Sequence, residues 1–346
     1  MITPRLHRYM EDHGLNKDTK DAERQSYKPS RDMSKADEDS ENTIRSDLRD
    51  MRGKDFLDVS LEHHFKEQEL YPWHVAVFEV LDLIGGSSAV GNLLLRLLGF
   101  LALNPQYQDL IHKEALLAIQ KQAKRESEED YITDKVDEDV DCDEDADGIP
   151  IINLMHRRDM PLMDAAIQET LRLASSPIIP HVANRDTRLA EYDIDKDTMV
   201  LFNTFHLNFS EENWMNPRDF DPRRFLIRAD AVETHDHRIN ENNNGIQYMS
   251  PEDDGSVRWL VRKPKNFLPF SVGRRACLGY KLTKSVTFSS AANIILRYRL
   301  TLASVEEEVR AREQLIPKGG LGLPIDETCF KVMMTPRKQD LFKCEE

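Results

Sequence analysis

The sequence predicts a mainly α-helical fold with a minor β component. Three observations carry that prediction. A long apolar run holds no proline between Pro72 and Pro105, two further segments suit helices, and the β-forming runs are short and separated by charged turns. The 346 residues are enough for one large domain or two modest ones. Their 62 acidic and 47 basic side chains leave a formal charge of -15, which argues against a broad nucleic-acid surface.

Residues 1–55 read as a polar, flexible segment. Positions 11–55 are dense in Asp, Glu, Lys, Arg and Ser and offer little to offset the entropy of ordering them, with a solvated helix as the alternative. The opening MITPRLHRYMEDHG lacks the apolar core of a signal peptide, and no later window holds eighteen uncharged apolar residues, so no bilayer-spanning segment is expected.

From Tyr71 the run YPWHVAVFEVLDLIGGSSAVGNLLLRLLGFLALNP fits a buried helix better than a strand. Gly85, Gly86 and Gly91 interrupt it, and each costs roughly 1 kcal/mol in a helix interior. They point to close helix packing, a distortion or a bound group pressed against the backbone. Asn104 and Pro105 then read as the cap and first residue of an amphipathic helix with apolar positions at Leu110, Ile111, Ala115, Leu117 and Ala118. That helix is expected to dissolve into an acidic loop, 126–148, whose mutual repulsion disfavours a compact element. Within the loop Asp143, Asp145, Asp147 and Gly148 imitate half of a calcium-binding loop, but Leu154 stands where a bidentate Glu is required. A solvated loop is the reading.

Residues 160–174, MPLMDAAIQETLRLA, are strong helix formers closed off by Pro177. Short strands are expected at 178–182, 189–194 and 199–205, with TRLAEYDIDKDTMVLFN as a small antiparallel hairpin region. A polar insertion, 231–256, follows without a periodic apolar face. His235, His237 and nearby His206 lack zinc-like spacing and read as local polar contacts.

The strongest chemical pattern is FLPFSVGRRACLGYKLTKSVTFSSAANIILRY, in which a glycine-bearing loop and one cysteine precede a helix of roughly eighteen residues. The four cysteines, Cys142, Cys277, Cys329 and Cys344, are too scattered for a disulfide scaffold or a structural zinc site. Cys277 sits where helix amides and the positive dipole end favour a negative sulfur, and Gly273 and Gly279 let the backbone approach a large planar ligand. One soft thiolate without chelating neighbours suits the axial position of haem iron, with Arg274 and Arg275 as propionate partners; an inert buried cysteine is the alternative. Glu169 and Arg172 share a helix face in ETLR, a pair worth little at a surface but different if Arg224 of FDPRRF reaches it.

These residues resemble the haem-thiolate monooxygenases, the cytochrome P450 superfamily. Phe270-x-x-Gly273-x-Arg275-x-Cys277-x-Gly279 looks like the cysteine-ligand loop, and Glu169-x-x-Arg172 with Arg224 looks like the scaffold that braces it. The resemblance spans roughly residues 56 to 346 and implies the carboxyl-terminal portion of the haem domain, without the anchor, access lid and propionate-binding helix of longer members. It implies haem b as cofactor, Cys277 as iron ligand, and Arg275 and His181 at the propionates. Arg185 would make further contacts there, and Val182 would lie near substrate.

Where relatives carry an acid and a threonine over the distal haem face, this helix has Ser88 and Ala89, so Ser87, Ser88, water or the substrate itself would deliver protons. DLIGGSSAVGN looks like the arthropod spook group of steroidogenic members, which implies a sterol or related lipid substrate in ecdysteroid biosynthesis. Molecular oxygen and NADPH-cytochrome P450 reductase or a ferredoxin-type donor are the implied partners, and the endoplasmic reticulum membrane or mitochondrion the implied location. Lys263, Lys265, Arg274 and Arg275 make the cysteine side basic enough to guide an acidic electron donor. The rival readings are a non-oxidative haem-thiolate isomerase or dehydratase, and a catalytically silent acidic interaction protein.

Overall fold

The computed structural model describes residues 56–66, 72–129, 149–174, 180–229, 258–273, 276–316 and 330–337. The segment 1–55, residues 130–148 with the Asp143–Gly148 pattern, the insertion 231–256 with His235 and His237, Arg274, Arg275, Cys142, Cys329 and Cys344 lie outside the described residues. The chain divides into two units, Met1–Phe78 and Glu79–Glu346. In the first, helix α1, Phe56–Lys66, buries Ser60 and Leu61 and pairs Lys66 with Glu62 one turn back. Helix α2, Trp73–Leu103, begins in this unit and continues into the second.

The core of the second unit is helical. In the second half of α2 the buried apolar side chains are Leu93, Leu97, Leu98, Phe100 and Leu101, a stripe at helical spacing. Helix α3, Pro105–Glu129, buries Tyr107, Ile111, Ala115 and Ala118, and helix α4, Pro161–Ala174, buries eleven of its fourteen residues. A helix so enclosed has to satisfy its polar members inside the protein, and α4 carries Gln168, Glu169, Thr170 and Arg172. Helix α6, Tyr280–Arg297, packs on α3 and α4 through Phe288, Ala291, Ala292, Ile295 and Leu296. Asn293 of α6 exchanges two hydrogen bonds with the Ile152 backbone, N–H to Oδ1 at 2.9 Å and Nδ2 to carbonyl at 2.7 Å, and so fixes the segment leading to α4.

Four two-stranded antiparallel sheets complete the described structure. They pair β1, His181–Val182, with β4, Met199–Val200; β2, Thr187–Leu189, with β3, Tyr192–Ile194; β5, Leu226–Arg228, with β6, Trp259–Val261; and β7, Tyr298–Leu302, with β8, Val332–Pro336. Gln108 of α3 ties the helices to β7, accepting from Leu300 N–H at 2.6 Å and donating to its carbonyl at 3.0 Å. Helix α7, Val305–Gln314, follows β7 and is capped by Ser304. The mainly α fold with minor β content is thus the observed one.

Several local expectations need correction. The strand expected over 199–205 stops at Val200, and Thr204–Phe209 forms helix α5, because Asn203 accepts the His206 N–H and caps a helical turn. Asn104 does not cap α3 in the expected way: its Nδ2 turns back to the Phe100 carbonyl at 2.8 Å, closing α2 instead. Helix α3 also runs through Glu129, four residues into the expected acidic loop. Gly85, Gly86 and Gly91 are not close-packing points, since an added Cβ would meet no atom within 4 Å at any of them. Close approach occurs instead at Gly99, where that Cβ would lie 2.7 Å from Phe330 Cζ. Finally, α2 is long and apolar enough by length and composition to cross a membrane, because its few charges leave a high mean hydropathy. Yet Arg96 is buried in its second half and donates to the Leu315 carbonyl, as suits a core helix.

Candidate functional site

Helix α4 and the 3-10 turn Pro222–Phe225 meet around one carboxylate. Glu169 is fully buried and accepts from Nε and Nη2 of Arg172, each at 2.8 Å, from Nε of Arg224 at 3.0 Å and from the Asp221 backbone N–H at 3.0 Å. The i, i+3 spacing puts Glu169 and Arg172 on one face, and Pro222 at the first position of the turn presets the backbone that delivers Arg224. Each guanidinium spends its remaining donors on backbone carbonyls. Arg172 reaches Asn208 and Pro217 at 2.6 Å, while Arg224 reaches Met215, Asn216 and Asp219. Two cations and one anion thereby pin residues 208–219 to α4 with charge-assisted bonds.

A second layer holds Asp221. Its carboxylate caps the turn by accepting Arg223 N–H at 3.1 Å, and it accepts from the Tyr107 hydroxyl of α3 at 2.7 Å. Burial pushes the Asp221 carboxyl up, but the Arg223 and Tyr107 hydrogen bonds outweigh it and leave the group below its ordinary value. Burial, then the Asp221 charge, raises the Tyr107 hydroxyl.

The cysteine loop follows β6 as a chain of tight turns. Ser271 N–H donates to Leu268, Ala276 N–H to Gly273 and Cys277 N–H to Phe270, at 3.2, 3.1 and 2.9 Å. Ser271 and Gly273 have φ of 60° and 73°, the left-handed region, which a β-branched residue would resist. Cys277 emerges exposed, two residues before the Gly279 cap of α6. The Phe270 ring lies 6.1 Å from that of Tyr280 and 5.7 Å from Lys284 Nζ. Burial lowers the Lys284 ammonium from its usual range.

Aromatic packing joins the two parts. Arg172 stacks 5.1 Å from the Trp214 ring, Trp214 packs on Phe225 and Phe267 at 5.5 and 6.3 Å, and Phe225 and Phe267 lie 4.9 Å apart. Phe267 belongs to the run that ends at Phe270 and the cysteine loop. Arg262 Nε adds a bond to the Arg224 carbonyl. Trp214, Asp221 and Phe267 are not among the residues that the sequence singles out. Asp221-Pro222 was legible as a cap followed by a helix-starting proline, but no local signal marks Trp214 or Phe267 as the bridge.

The other expected residues are placed separately. Ser87 and Ser88 lie exposed on α2, with hydroxyls donating to the Ile84 and Gly85 carbonyls at 2.6 and 2.9 Å. His181 lies in β1, its ring edge-on to Phe202 at 5.5 Å, beside an exposed Val182. Arg185 is exposed in the following bend, and Lys263 and Lys265 are exposed before the cysteine loop.

Among the described residues no group of three or more His, Cys, Asp or Glu is placed to hold a metal ion. The donor at Cys277 is a single soft sulfur, exposed, and followed directly by Leu278, which is 98% exposed. At Gly279 an added Cβ would lie 4.0 Å from Sγ, an ordinary contact distance. A single soft sulfur donor fits the iron of a haem and does not fit a hard hydrated cation.

The family model described as Cytochrome P450 matches residues 14–331. The chain belongs to the cytochrome P450 family. Membership implies haem b as the cofactor. The chain is 31% identical over 286 residues to Cytochrome P450 307a1 of Drosophila melanogaster, an alignment covering 83% of this chain and 45% of that protein. It is 30% identical over 206 residues to the steroid 17-alpha-hydroxylase/17,20 lyase of Ictalurus punctatus, covering 59% and 32%. Its matches thus take in less than half the length of these two curated relatives. In fold it is similar to a zebra fish cytochrome P450 solved with abiraterone, with a TM-score of 0.54, 23% identity, and coverage of 86% of this chain and 58% of that one.

Proposed function

We propose that the protein is a haem-thiolate monooxygenase that oxidises a sterol or related lipid, with ecdysteroid biosynthesis as the narrower setting. The observation that carries this reading is Cys277, held exposed between a tightly turned loop and the start of α6. The steroid hydroxylase named among the relatives supports the substrate class, and the Gly85–Ala89 run supports the narrower setting. Bound haem b supplies the activation of molecular oxygen.

The chain's own residues divide the remaining work. Cys277 Sγ would hold the iron; Phe270, Gly273 and Gly279 shape its loop; Arg275 and His181 would hold the propionates. Glu169, Arg172 and Arg224 hold the scaffold from which that loop is set. Electrons come from NADPH-cytochrome P450 reductase or a ferredoxin-type donor, steered by Lys263, Lys265 and Arg274, at the endoplasmic reticulum membrane or in the mitochondrion.

Ser87 Oγ and Ser88 Oγ relay protons from water or a substrate hydroxyl, each first rotating off its carbonyl. Ser88 and Ala89 in place of the acid and threonine motivate a second reading, a haem-thiolate isomerase or dehydratase that consumes no dioxygen.

The test supplies haem and records the reduced carbon-monoxide spectrum of the protein and of Cys277→Ala. A thiolate-type Soret shift that the variant loses is expected; porphyrin incorporation with an unchanged shift in the variant overturns the assignment. Turnover of a sterol under labelled dioxygen then separates the readings. Label in product supports monooxygenation, and unlabelled product supports the second reading.

A further inference from the structure

Helix α4 has an incomplete beginning by its own sequence. The residue before it, Met160, has no side-chain acceptor, and Pro161 at its first position has no N–H. The next orphan donors are the N–H groups of Leu162 and Met163. Both are taken by one residue of another helix: Glu114 of α3, whose Oε1 accepts from Leu162 at 2.8 Å and whose Oε2 accepts from Met163 at 3.1 Å. Asp164 N–H closes on the Met160 carbonyl at 3.2 Å, so every early amide of α4 is accounted for. Glu114 is buried, as is the whole of α4 between Ala165 and Leu173. A carboxyl placed across the first two free amides fixes α4 along its axis as well as ending its dipole.

We propose that Glu114 is a positioning residue for the haem-thiolate site: by capping α4 from α3 it sets the register of Glu169 and Arg172, and through them that of the loop bearing Cys277. The proposal rests on the haem-thiolate reading above. The path is continuous in the structure. Glu114 holds the α4 start, Glu169 stands two turns on, and Arg172 leads through Trp214 and Phe267 to the cysteine loop. Tyr107, two turns before Glu114 on α3, secures the other side of the same network by holding Asp221. One face of α3 therefore positions both halves of the scaffold.

The charges near Glu114 are Asp164 of α4, itself paired with Arg157 at 2.8 Å, and Lys121 of α3. Burial pushes the Glu114 carboxyl up to about 8, against the pull of the two amide bonds. Because the raised value means the fold favours the neutral carboxyl, by linkage the contact stabilises the fold most at low pH and less as pH rises toward about 8.

Three measurements test the proposal. In the unmutated protein, the amide nitrogen shifts of Leu162 and Met163 should titrate together with one midpoint above the ordinary carboxylate value; shifts that share no midpoint anywhere between about pH 4 and 9 overturn it. In Glu114→Gln the side-chain amide faces one N–H with another donor, and exchange of those two amides should quicken roughly ten- to a hundredfold, as leaving a buried amide donor unpaired requires. Haem-loaded Glu114→Gln should also lose part of the thiolate signature in its reduced carbon-monoxide spectrum at equal total haem, whereas Glu114→Asp, which keeps one acceptor pair, should recover some of it. A variant with normal exchange and a full thiolate signature overturns the proposal. If the unmutated protein itself shows no thiolate signature, the haem-thiolate reading falls instead, and the amide titration still judges the cap.

Discussion

Replacing Glu169 by Gln tests the scaffold most directly. The substitution keeps volume but removes the one negative charge that two buried guanidiniums share, and it puts an amide donor where four donors now converge. Arg172 is fully buried and Arg224 nearly so, so neither can recover solvation by moving aside, and their carbonyl partners supply dipoles but no countercharge. Removing one partner of such a buried pair costs about 3–5 kcal/mol, against a total stability of roughly 5–15 kcal/mol. Denaturant unfolding of the protein and of Glu169→Gln, followed by far-ultraviolet circular dichroism, measures the difference. A double-mutant cycle with Arg224→Met isolates the shared term, and a coupling of at least about 1 kcal/mol is expected for residues in one network. A loss below about 1 kcal/mol in the single variant, with no coupling in the cycle, refutes the claim that this carboxylate holds residues 208–219 to α4.

Two further outcomes follow from buried groups away from the site. Burial, then the Arg337 charge, holds His112 down at about 4, against Asp109 and a backbone bond at Leu296 that pull it up. The unfolded chain therefore binds the proton more tightly: this stabilisation is complete above about 6.5 and is lost as pH falls toward 4, so the melting temperature of His112→Gln should fall less steeply through that window. Gly99→Ala would place a methyl 2.7 Å from Phe330 Cζ and 3.0 Å from Leu315 Cδ2, and overpacking of this kind should cost about 1–3 kcal/mol in denaturant unfolding.

Local chemistry was legible where it is written in short-range order. The proline-free apolar run became α2, the ETLR pattern lies on α4, and Cys277 precedes an eighteen-residue helix. Errors fell where a side chain chose between two backbone partners. Asn104 closed the preceding helix in place of capping the next, and Asn203 turned an expected strand into a helical turn. Propensity cannot settle such choices, because an Asn side chain carries both a donor and an acceptor that can serve either local pattern.

By itself the sequence determined the helical class, the family signature and the one sulfur available at that signature. Only the tertiary structure decided that Glu169 is shared by Arg172 and Arg224, that Trp214 and Phe267 carry this network toward the cysteine loop, and that Glu114 completes a helix to which it does not belong. The reason is distance along the chain. An i, i+3 pair follows from helix geometry, whereas a bond spanning 48 or 55 residues exists only after packing has removed water and left each buried donor in need of an acceptor.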